Sequence, residues 1–308
     1  MTANARAFKF WRQPWVRESR SDLIFMVCLY IFLVLLILVF LYPLIYVVSA
    51  SVSDPTAVMS GQVMLLPVGF TLEAYRTIFE YAPVWTGFMN SIFYAVVGTL
   101  VNLVVTIVAA YPLSRKDLYG RDVILFVFVF TMLFSGGLIP TYLTVKNLGL
   151  LDTRWALIVP QALSVWYLIV TITYFRTSIP GDLLEAAQLD GCSDFKYLVH
   201  IVLPLSSPIL AVLALFYAVG HWNQYFAAQI YLTNKDLFPL QIVLRDILVR
   251  NQVDLTLFVD IATYEAKEAM RILLRYALIV VASVPVLIIY PFVQRYFVKG
   301  VMIGALKG

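Results

Sequence analysis

Long apolar runs separated by short polar stretches dominate this chain. A bilayer core of about 30 Å requires about 20 apolar helical residues, and six runs approach that length. Their predicted bounds are 23–48, 84–111, 123–145, 155–175, 208–232 and 274–294. The pattern therefore predicts an all-α integral membrane protein with six transmembrane helices, occupying 23–294 as one domain.

Two of these predicted spans contain residues that disturb helices. The third span holds Gly136, Gly137 and Pro140, and the sixth holds Pro285 and Pro291. Such residues are tolerated in membrane helices where neighbouring groups satisfy the freed backbone atoms. We therefore expect local kinks or unwinding in both spans.

The composition agrees with a membrane protein and narrows its partners. Of the 308 residues, 62% are hydrophobic and only 13% are charged, which is too apolar for an ordinary soluble domain. The basic residues are spread among loops and form no basic face, so nucleic acid is not an expected partner. Cys28 and Cys192 have no metal-site or disulfide spacing, and we expect both to be packing residues.

The basic N-terminal segment, 1–22, suggests the orientation of the chain. It carries Arg6, Lys9, Arg12, Arg17 and Arg20. The apolar run that follows is longer than the ~7 to 15 residues of a cleavable signal core, so it is predicted to remain as an anchor. We place this segment in the cytoplasm of a bacterium, with the anchor in the inner membrane.

The loops then follow the positive-inside bias. On the predicted cytoplasmic side lie the loop 113–122, the loop 177–207 and the tail 295–308. The basic residues in or directly beside them are Arg115, Lys116, Arg121, Arg176, Lys196, Arg295, Lys299 and Lys307. On the other side, 49–83 and 146–154 contain only Arg76, Lys146 and Arg154. Both termini are thus predicted to be cytoplasmic, and 233–273 is predicted to be an extracytoplasmic loop.

Motifs for chemistry are missing from the sequence. It contains no phosphate-binding loop, zinc-binding helix, nucleophile elbow or dinucleotide fingerprint, so the chain is not expected to be an enzyme. The interiors of the spans hold no Asp, Glu, Lys or Arg, unlike ion-coupled transporters. Two alternatives remain: an enzyme acting on lipid-linked sugars, for which Asp236 and Asp260 form no recognisable pair, and an ion-coupled sugar carrier.

The polar stretch between the fourth and fifth spans predicts two short helices. Pro180 and Asp182 suit a helix start, and Gly191 suits a left-handed C-terminal cap. Between them, Leu183, Ala186 and Ala187 are spaced to share one face. The small alanines would let a partner approach closely.

A second helix is predicted directly after the glycine. Ser193 would cap it, and Phe195, Leu198, Val199 and Val202 would form an apolar stripe before Pro204. The pattern favours a rigid helix–turn–helix in the cytoplasm. An amphipathic segment that only leads back into the membrane explains the pattern equally well.

A resemblance to a known family separates these two interpretations. Glu185-Ala186-Ala187, followed by Gly191 and then Ile201-x-Leu203-Pro204, resembles the EAA signature of permease subunits of bacterial ABC importers. The resemblance implies a type I importer fold in which this loop is a coupling helix that docks on a separate ATPase. It assigns the docking role to Glu185, Ala186, Ala187 and Gly191, with Asp190 and Leu183 beside them.

Other stretches resemble the carbohydrate branch of this family, in particular the second permease of a heterodimeric pair. They are "NSIFYAVVGTLVNLVVTIVAAYPLSR" (90–115), "GGLIPTYLTVKNLGLLDT" (136–153), "WNQYF" (222–226) and the tail. The second of them is similar to a subgroup that imports oligosaccharides or polysaccharide fragments, including alginate- and pectin-derived chains. The resemblance implies four kinds of partner: a homologous permease, two ATPase subunits, an extracytoplasmic solute-binding protein and an oligosaccharide. ATP and Mg would be bound by the ATPase, with no cofactor in this chain.

Candidate substrate contacts combine amides with aromatic rings, which suit sugar hydroxyls and ring faces. The fifth span holds His221, Trp222, Asn223, Gln224, Tyr225 and Phe226, and the fourth holds Gln161 and Ser164. Polar residues in spans, including Asn90 and Asn102, equally serve to join helices. His221 has no evident metal partners.

The predicted extracytoplasmic loop supplies a second set of candidates. The resemblance implies that 233–254 meets the solute-binding protein. Lys235, Arg245 and Arg250 would favour an acidic sugar there, or would simply be solvated.

Overall fold

The computed structural model describes residues 20–250 and 264–305, and these residues form helices and connections without a strand. Three helices are long and apolar enough to cross a membrane: α1 (Arg20–Ser51), α4 (Ala82–Ser114) and α14 (Tyr264–Ala305). The first two match the predicted spans 23–48 and 84–111. An all-α membrane protein is therefore confirmed.

The remaining α-helices are shorter. They are α2 (Pro55–Met59), α3 (Glu73–Glu80), α5 (Arg121–Leu133), α6 (Leu138–Asn147), α7 (Val165–Ser178), α8 (Gly181–Leu189), α9 (Asp194–Tyr197), α10 (Leu203–Leu205), α11 (Ser207–Trp222), α12 (Phe226–Tyr231) and α13 (Leu240–Arg250). Short 3-10 turns cover Arg154–Leu157, Val159–Gln161 and Lys235–Leu237, and a π-helical turn covers Leu198–Val202.

Two predicted spans are bent pairs of helices. The axis turns by 115° between α5 and α6, in the third span, where a kink was expected, and by 51° between Arg154–Gln161 and α7, so a continuous helix is wrong for the fourth span. A further bend of 80°, between Asp194–Leu205 and α11, lies just before the predicted fifth span. The described residues give up to six spans if each bent pair counts as one. The count of six thus stays a prediction.

Local chemistry explains the first of these bends. Gly137 has φ 86° and ψ −179°, a conformation that is essentially restricted to glycine, so the expected unwinding near Gly136 and Gly137 is confirmed. The sixth span behaves differently. Pro285 and Pro291 both lie inside the unbroken helix α14, which begins well before the predicted residue 274.

The predicted fifth span, 208–232, is also not continuous. Helix α11 ends at Trp222, and the polar residues Asn223 and Gln224 separate it from α12. The predicted loop 233–273 contains helix α13 and the first residues of α14. The basic residues at 6–17, Asp260 and Lys307 lie outside the described residues.

Helix α4 is the centre of the bundle and packs against α7, α11 and α13. Three apolar clusters lie along it: one with α2, α3, α13 and α14 near its first turns, one with α6 and α12, and one with α7 and α8 at its end. A helix of 33 residues is about 50 Å long, so the first and last clusters lie at opposite ends of the molecule. By contrast, α1 leaves nearly all of its apolar side chains exposed, as expected for a surface that meets lipid or another subunit.

Candidate functional site

Helix α8, the first helix of the predicted loop, ends in a C-terminal cap at Gly191. Pro180 precedes α8, and Gly191 follows it with φ 70°. The Cys192 N–H donates to the Ala187 carbonyl at 2.9 Å, and the Gly191 N–H donates to the Gln188 carbonyl at 3.0 Å. These bonds form a Schellman cap, so the predicted role of Gly191 as a helix cap is confirmed.

The second helix begins as predicted but is irregular. The Ser193 hydroxyl accepts from the Lys196 backbone N–H at 3.4 Å, which confirms the cap. The helix then runs from Asp194 to Leu205 through one π-helical turn at Leu198–Val202. We call residues 177–207, which hold both helices, the coupling segment.

Leu183, Ala186 and Ala187 of α8 were predicted to form one face open to a partner, and this is wrong for Ala187. Ala187 is buried with Leu184 against the cluster at the end of α4, whereas Leu183 and Ala186 are exposed. Ala187 is thus occupied by packing within this chain. Leu183, Glu185 and Ala186 remain open to a partner.

The predicted apolar stripe on the second helix also divides. Tyr197, Leu198 and Val202 pack inward, but Phe195 is 76% exposed. Tyr197 takes an inward position instead, and its ring lies 6.5 Å from the Tyr111 ring of α4. Together with Leu189, which is 90% exposed, Phe195 leaves a large apolar side chain on each side of the glycine turn.

Charged residues connect the coupling segment to the end of α4. Arg115 forms ion pairs with Asp194 of the segment and with Asp117, the latter at 2.7 Å. Arg176, at the end of α7, donates to the Leu113 carbonyl at 2.7 Å. The hydrogen bond from Arg115 lowers the pKa of Asp117. A displacement of the coupling segment would therefore act directly on α4.

A cavity of about 850 Å³ lies beside this connection, between the end of α4 and α8. Its charged lining residues are Arg115, Lys116, Asp117, Arg121, Arg176 and Glu185. Glu185, the first residue of the predicted signature, thus stands at the opening between the coupling segment and the bundle.

At the other end of α4, polar side chains hold the segment 236–240. The Asn90 amide donates to the carbonyls of Asp236 at 2.7 Å and Phe238 at 3.1 Å, and the Tyr94 hydroxyl donates to the Leu237 carbonyl at 2.8 Å. The Leu240 N–H donates to the Ser91 hydroxyl at 2.8 Å. We call Asn90, Ser91 and Tyr94, together with Asp152, the loop anchor.

Asp152 completes the loop anchor from the turn after α6. Its carboxylate accepts from the Asn234 N–H at 2.8 Å and from the N–H and hydroxyl of Thr233 at 2.9 and 2.7 Å. These bonds lower the pKa of Asp152, with the Asn234 N–H as the largest cause. Sequence reasoning missed Asp152, and it named Asn90 only as a polar residue of uncertain role; the structure favours its role in packing.

A third set of polar side chains joins α4 to α11 in the middle of the bundle. The Asn102 side chain lies 2.6 Å from the His221 Nε2 and donates to the Gln161 carbonyl at 2.5 Å. The His221 ring packs against Gly98, which provides the space for it. Beside this network is a cavity of about 360 Å³ whose lining includes Gln161, Ser164, Tyr167, Phe216 and Tyr217.

The predicted substrate-pathway residues do not form one site. Gln161 lies at the cavity just described, while Asn223 and Tyr225 line a separate cavity of about 690 Å³ near α13. Trp222 is buried, and its indole N–H donates to the Ala282 carbonyl at 3.0 Å, which favours the packing alternative. The Gln224 side chain is buried without a hydrogen-bond partner among the described residues. Whether these residues contact substrate stays a prediction.

These observations define a helical membrane protein with three partly polar cavities and an exposed helix pair at one end. The described residues contain no group of side chains that could hold a metal ion. The sequence profile of the family described as "Binding-protein-dependent transport system inner membrane component" matches residues 102–303. The chain belongs to this family of ABC transporter permeases. The enzyme and ion-carrier alternatives are thereby set aside.

Relatives place the chain among sugar permeases. It is 42% identical over 288 residues to the polygalacturonan/rhamnogalacturonan transport system permease protein YtcP of Bacillus subtilis (strain 168), covering 92% of this chain and 99% of the relative. It is 39% identical over 293 residues to Protein LplC of the same organism, covering 95% and 98%.

A solved structure supports the same assignment. A chain in the crystal structure of a bacterial ABC transporter involved in the import of the acidic polysaccharide alginate matches with a TM-score of 0.83 and 35% identity. The match covers 92% of this chain and all of the other. The predicted type I permease fold is therefore confirmed.

Proposed function

We propose that this chain is the permease subunit of an ATP-driven importer of oligosaccharides or polysaccharide fragments. It would form half of an alternating-access pathway, with a homologous permease forming the other half. Two ATPase subunits, which bind ATP and Mg, would supply the energy, and a solute-binding protein would deliver the sugar. The coupling segment and both termini would lie in the cytoplasm of the bacterial cell.

One observation carries this proposal: an exposed, glycine-capped helix pair is tied by side chains to the end of the central helix. A docked ATPase would contact Leu183, Glu185 and Ala186, with Asp190 and Gly191 at the turn. Because Arg115 links this segment to α4, ATP-driven movement of the segment would be passed to the helix that carries both the buried network and the loop anchor. Energy would thus enter the bundle through this segment, from outside the bilayer.

The names of the relatives support the substrate class. The name of one relative specifies polygalacturonan or rhamnogalacturonan and that of another specifies alginate, all of them polysaccharides. The cavity near Gln161 offers amide and hydroxyl groups beside the stacked rings of Tyr167 and Phe216, whose centroids are 5.8 Å apart. Such surroundings suit a sugar, because hydroxyls need hydrogen-bond partners and ring faces stack on aromatic rings.

The test is purification of the tagged chain followed by reconstitution in proteoliposomes. A separate ATPase should co-purify, and sugar-loaded binding protein should stimulate its ATP hydrolysis. Glu185→Gln and Gly191→Val should keep the chain folded in the membrane but uncouple hydrolysis from uptake. Asp182→Asn, an exposed change in the first turn of α8, is the matched control and should behave as wild type. Normal coupling in both signature variants would reject the proposed role of the coupling segment.

A further inference from the structure

A cavity of about 690 Å³ lies where α11 breaks off and α13 approaches α14. Its polar lining residues are Asn223, Tyr225, Gln241, Arg245 and Ser283. The rest of the lining is aliphatic. The cavity therefore combines one guanidinium and one aromatic ring with amide and hydroxyl groups.

Arg245 is the only described cation that lines this cavity. Its Nη1 donates to the Gln229 side-chain oxygen at 2.7 Å, and its Cζ lies 5.9 Å from the centroid of the Tyr225 ring. No carboxylate of the described residues lies within ion-pair distance of Arg245, whereas Arg76 and Arg121 each have one and Arg115 has two. The guanidinium thus keeps hydrogen-bond donors for an anion that the described residues do not supply.

The position of Arg245 is fixed by the packing of α13. Leu240, Val243 and Leu244 are buried against α4 and α14, and the backbone of Leu240 lies so near Gly87 that a Cβ there would be 3.2 Å from the Leu240 Cα, a tight contact. The Ser91 hydroxyl accepts from the first N–H of the helix. A binding group on such a rigid element loses little entropy when it binds a ligand.

We propose that this cavity binds the carboxylate of a uronic acid residue as an acidic oligosaccharide passes through the permease. Arg245 pairs with the carboxylate, Tyr225 offers a ring face to the sugar, and Asn223 and Gln241 hydrogen-bond its hydroxyls. The inference rests on the proposed function and adds a substrate class to it: sugars that carry a negative charge.

The geometry favours a carboxylate sugar over other occupants. A guanidinium fork matches a carboxylate in a bidentate pair, and such charge-assisted bonds are roughly twice as strong as neutral ones. A free phosphate or a lipid headgroup would use the guanidinium but would leave the aromatic ring and the two amides without a purpose. A pairing residue of the sister permease is the remaining candidate, and assembly of the complex tests it.

The experiment uses the complete transporter in proteoliposomes with saturating binding protein. The probes are a galacturonate trisaccharide, a mannuronate trisaccharide and the methyl ester of each, which keeps the ring but removes the charge. Arg245→Gln should lower the maximal uptake rate of the acidic probe about tenfold or more, since a hydrogen bond to a charged group is worth about 1.5–3 kcal/mol. Uptake of the ester, where the wild type accepts it, should stay within about twofold, and Arg245→Lys should restore part of the acidic uptake.

Two controls separate this role from others. Lys146→Gln removes the same charge from an exposed residue at the end of α6 that does not line the cavity, and it should leave all rates unchanged. ATP hydrolysis without sugar and the yield of the assembled complex should be the same for Arg245→Gln and the wild type.

The outcomes are distinguishable. Equal uptake of the acidic probe by Arg245→Gln and wild type, or an equal loss for acid and ester, would overturn the carboxylate site. A reduced yield of assembled complex would assign Arg245 to the contact with the sister permease instead. Wild-type uptake of neutral oligosaccharides alone would also overturn the inference but leave the proposed function intact, whereas ATP-independent uptake of every probe would overturn both.

Discussion

The two ends of α4 are held by different chemistry. At its start, the loop anchor holds the backbone of 236–240 through neutral hydrogen bonds with buried side chains, in which Asn90 and Tyr94 donate and Ser91 accepts. At its end, the coupling segment is held by a small apolar cluster and by ion pairs of Arg115 whose carboxylates are more than 60% exposed. Buried hydrogen bonds are costly to break, and exposed ion pairs are not. The comparison indicates one end built to stay fixed and another that can shift at low cost.

The largest expected effect comes from removing the central side chain of the loop anchor. Asn90→Ala leaves the carbonyls of Asp236 and Phe238, and the Arg154 guanidinium that donates to Asn90, without this partner. We expect a loss of about 3 kcal/mol in stability. Thermal unfolding of the purified complex checks this, with Asn147→Ala, an exposed amide at the end of α6, as the control. A small loss would contradict the idea of a fixed end.

A somewhat smaller effect is expected between the two ends. A Cβ at Gly98 would lie 2.4 Å from the His221 ring, so Gly98→Ala must displace the ring and weaken its bond to Asn102. Overpacking of this kind costs about 1–3 kcal/mol. Gly220→Ala is the matched control, because a Cβ there meets no atom within 4 Å. Equal thermal stability of the two variants would show that the His221 ring can be displaced from Asn102 at little cost in stability.

At the other end, the expected effect on stability is smaller still. Asp194→Asn removes the ion pair with Arg115 and should cost less than about 1 kcal/mol, because the carboxylate is 67% exposed. Its effect should appear in coupling, as a fall of up to about fivefold in sugar transported per ATP hydrolysed. Restored coupling in the charge-exchanged pair Arg115→Asp with Asp194→Arg would support a direct link. Unchanged coupling in Asp194→Asn would place the link elsewhere.

The smallest expected effect concerns pH. The pKa of Asp152 is lowered in the folded protein by the Asn234 and Thr233 donors, so its contribution to stability is complete above the ordinary aspartate value of about 3.9. That contribution is lost as the pH falls through the lower folded value. Thermal unfolding should therefore show no Asp152-dependent change between pH 7 and 5. As the pH falls below about 4, Asp152→Asn should lose less thermal stability than the wild type. The same loss in both proteins would argue against this role of Asp152.

The sequence predicted those features that depend on neighbouring residues. Helices α1 and α4 follow from uninterrupted apolar runs, and the turn at Gly191 follows from local cap chemistry. The bends were harder to predict from the sequence, because an apolar run has the same composition whether it forms one helix or two. The glycines near 137 gave a local signal, and Pro160, Pro204 and Pro208 lie at the other two bends, but no glycine or proline directly follows Trp222 to mark the end of α11.

Features that join distant residues were not predictable in the same way. Asn90 and Asp236 are 146 positions apart, and a single sequence contains no sign that they meet. The wrong assignment of Ala187 has the same origin, since the spacing places it on a face but does not say what that face contacts. The choice between Tyr197 and Phe195 as the inward ring likewise depends on Tyr111, which lies far away along the chain.

The exposed side chains of Leu189 and Phe195 affect how this protein behaves when it is not assembled with partner subunits. In the proposed orientation, a copy without its ATPase would present two large hydrophobic side chains to the aqueous cytosol. Such side chains attract chaperones, proteases and other unassembled copies. Burial against the proposed ATPase would remove them from water, so the chain is expected to aggregate more readily when it is made without its partner subunits.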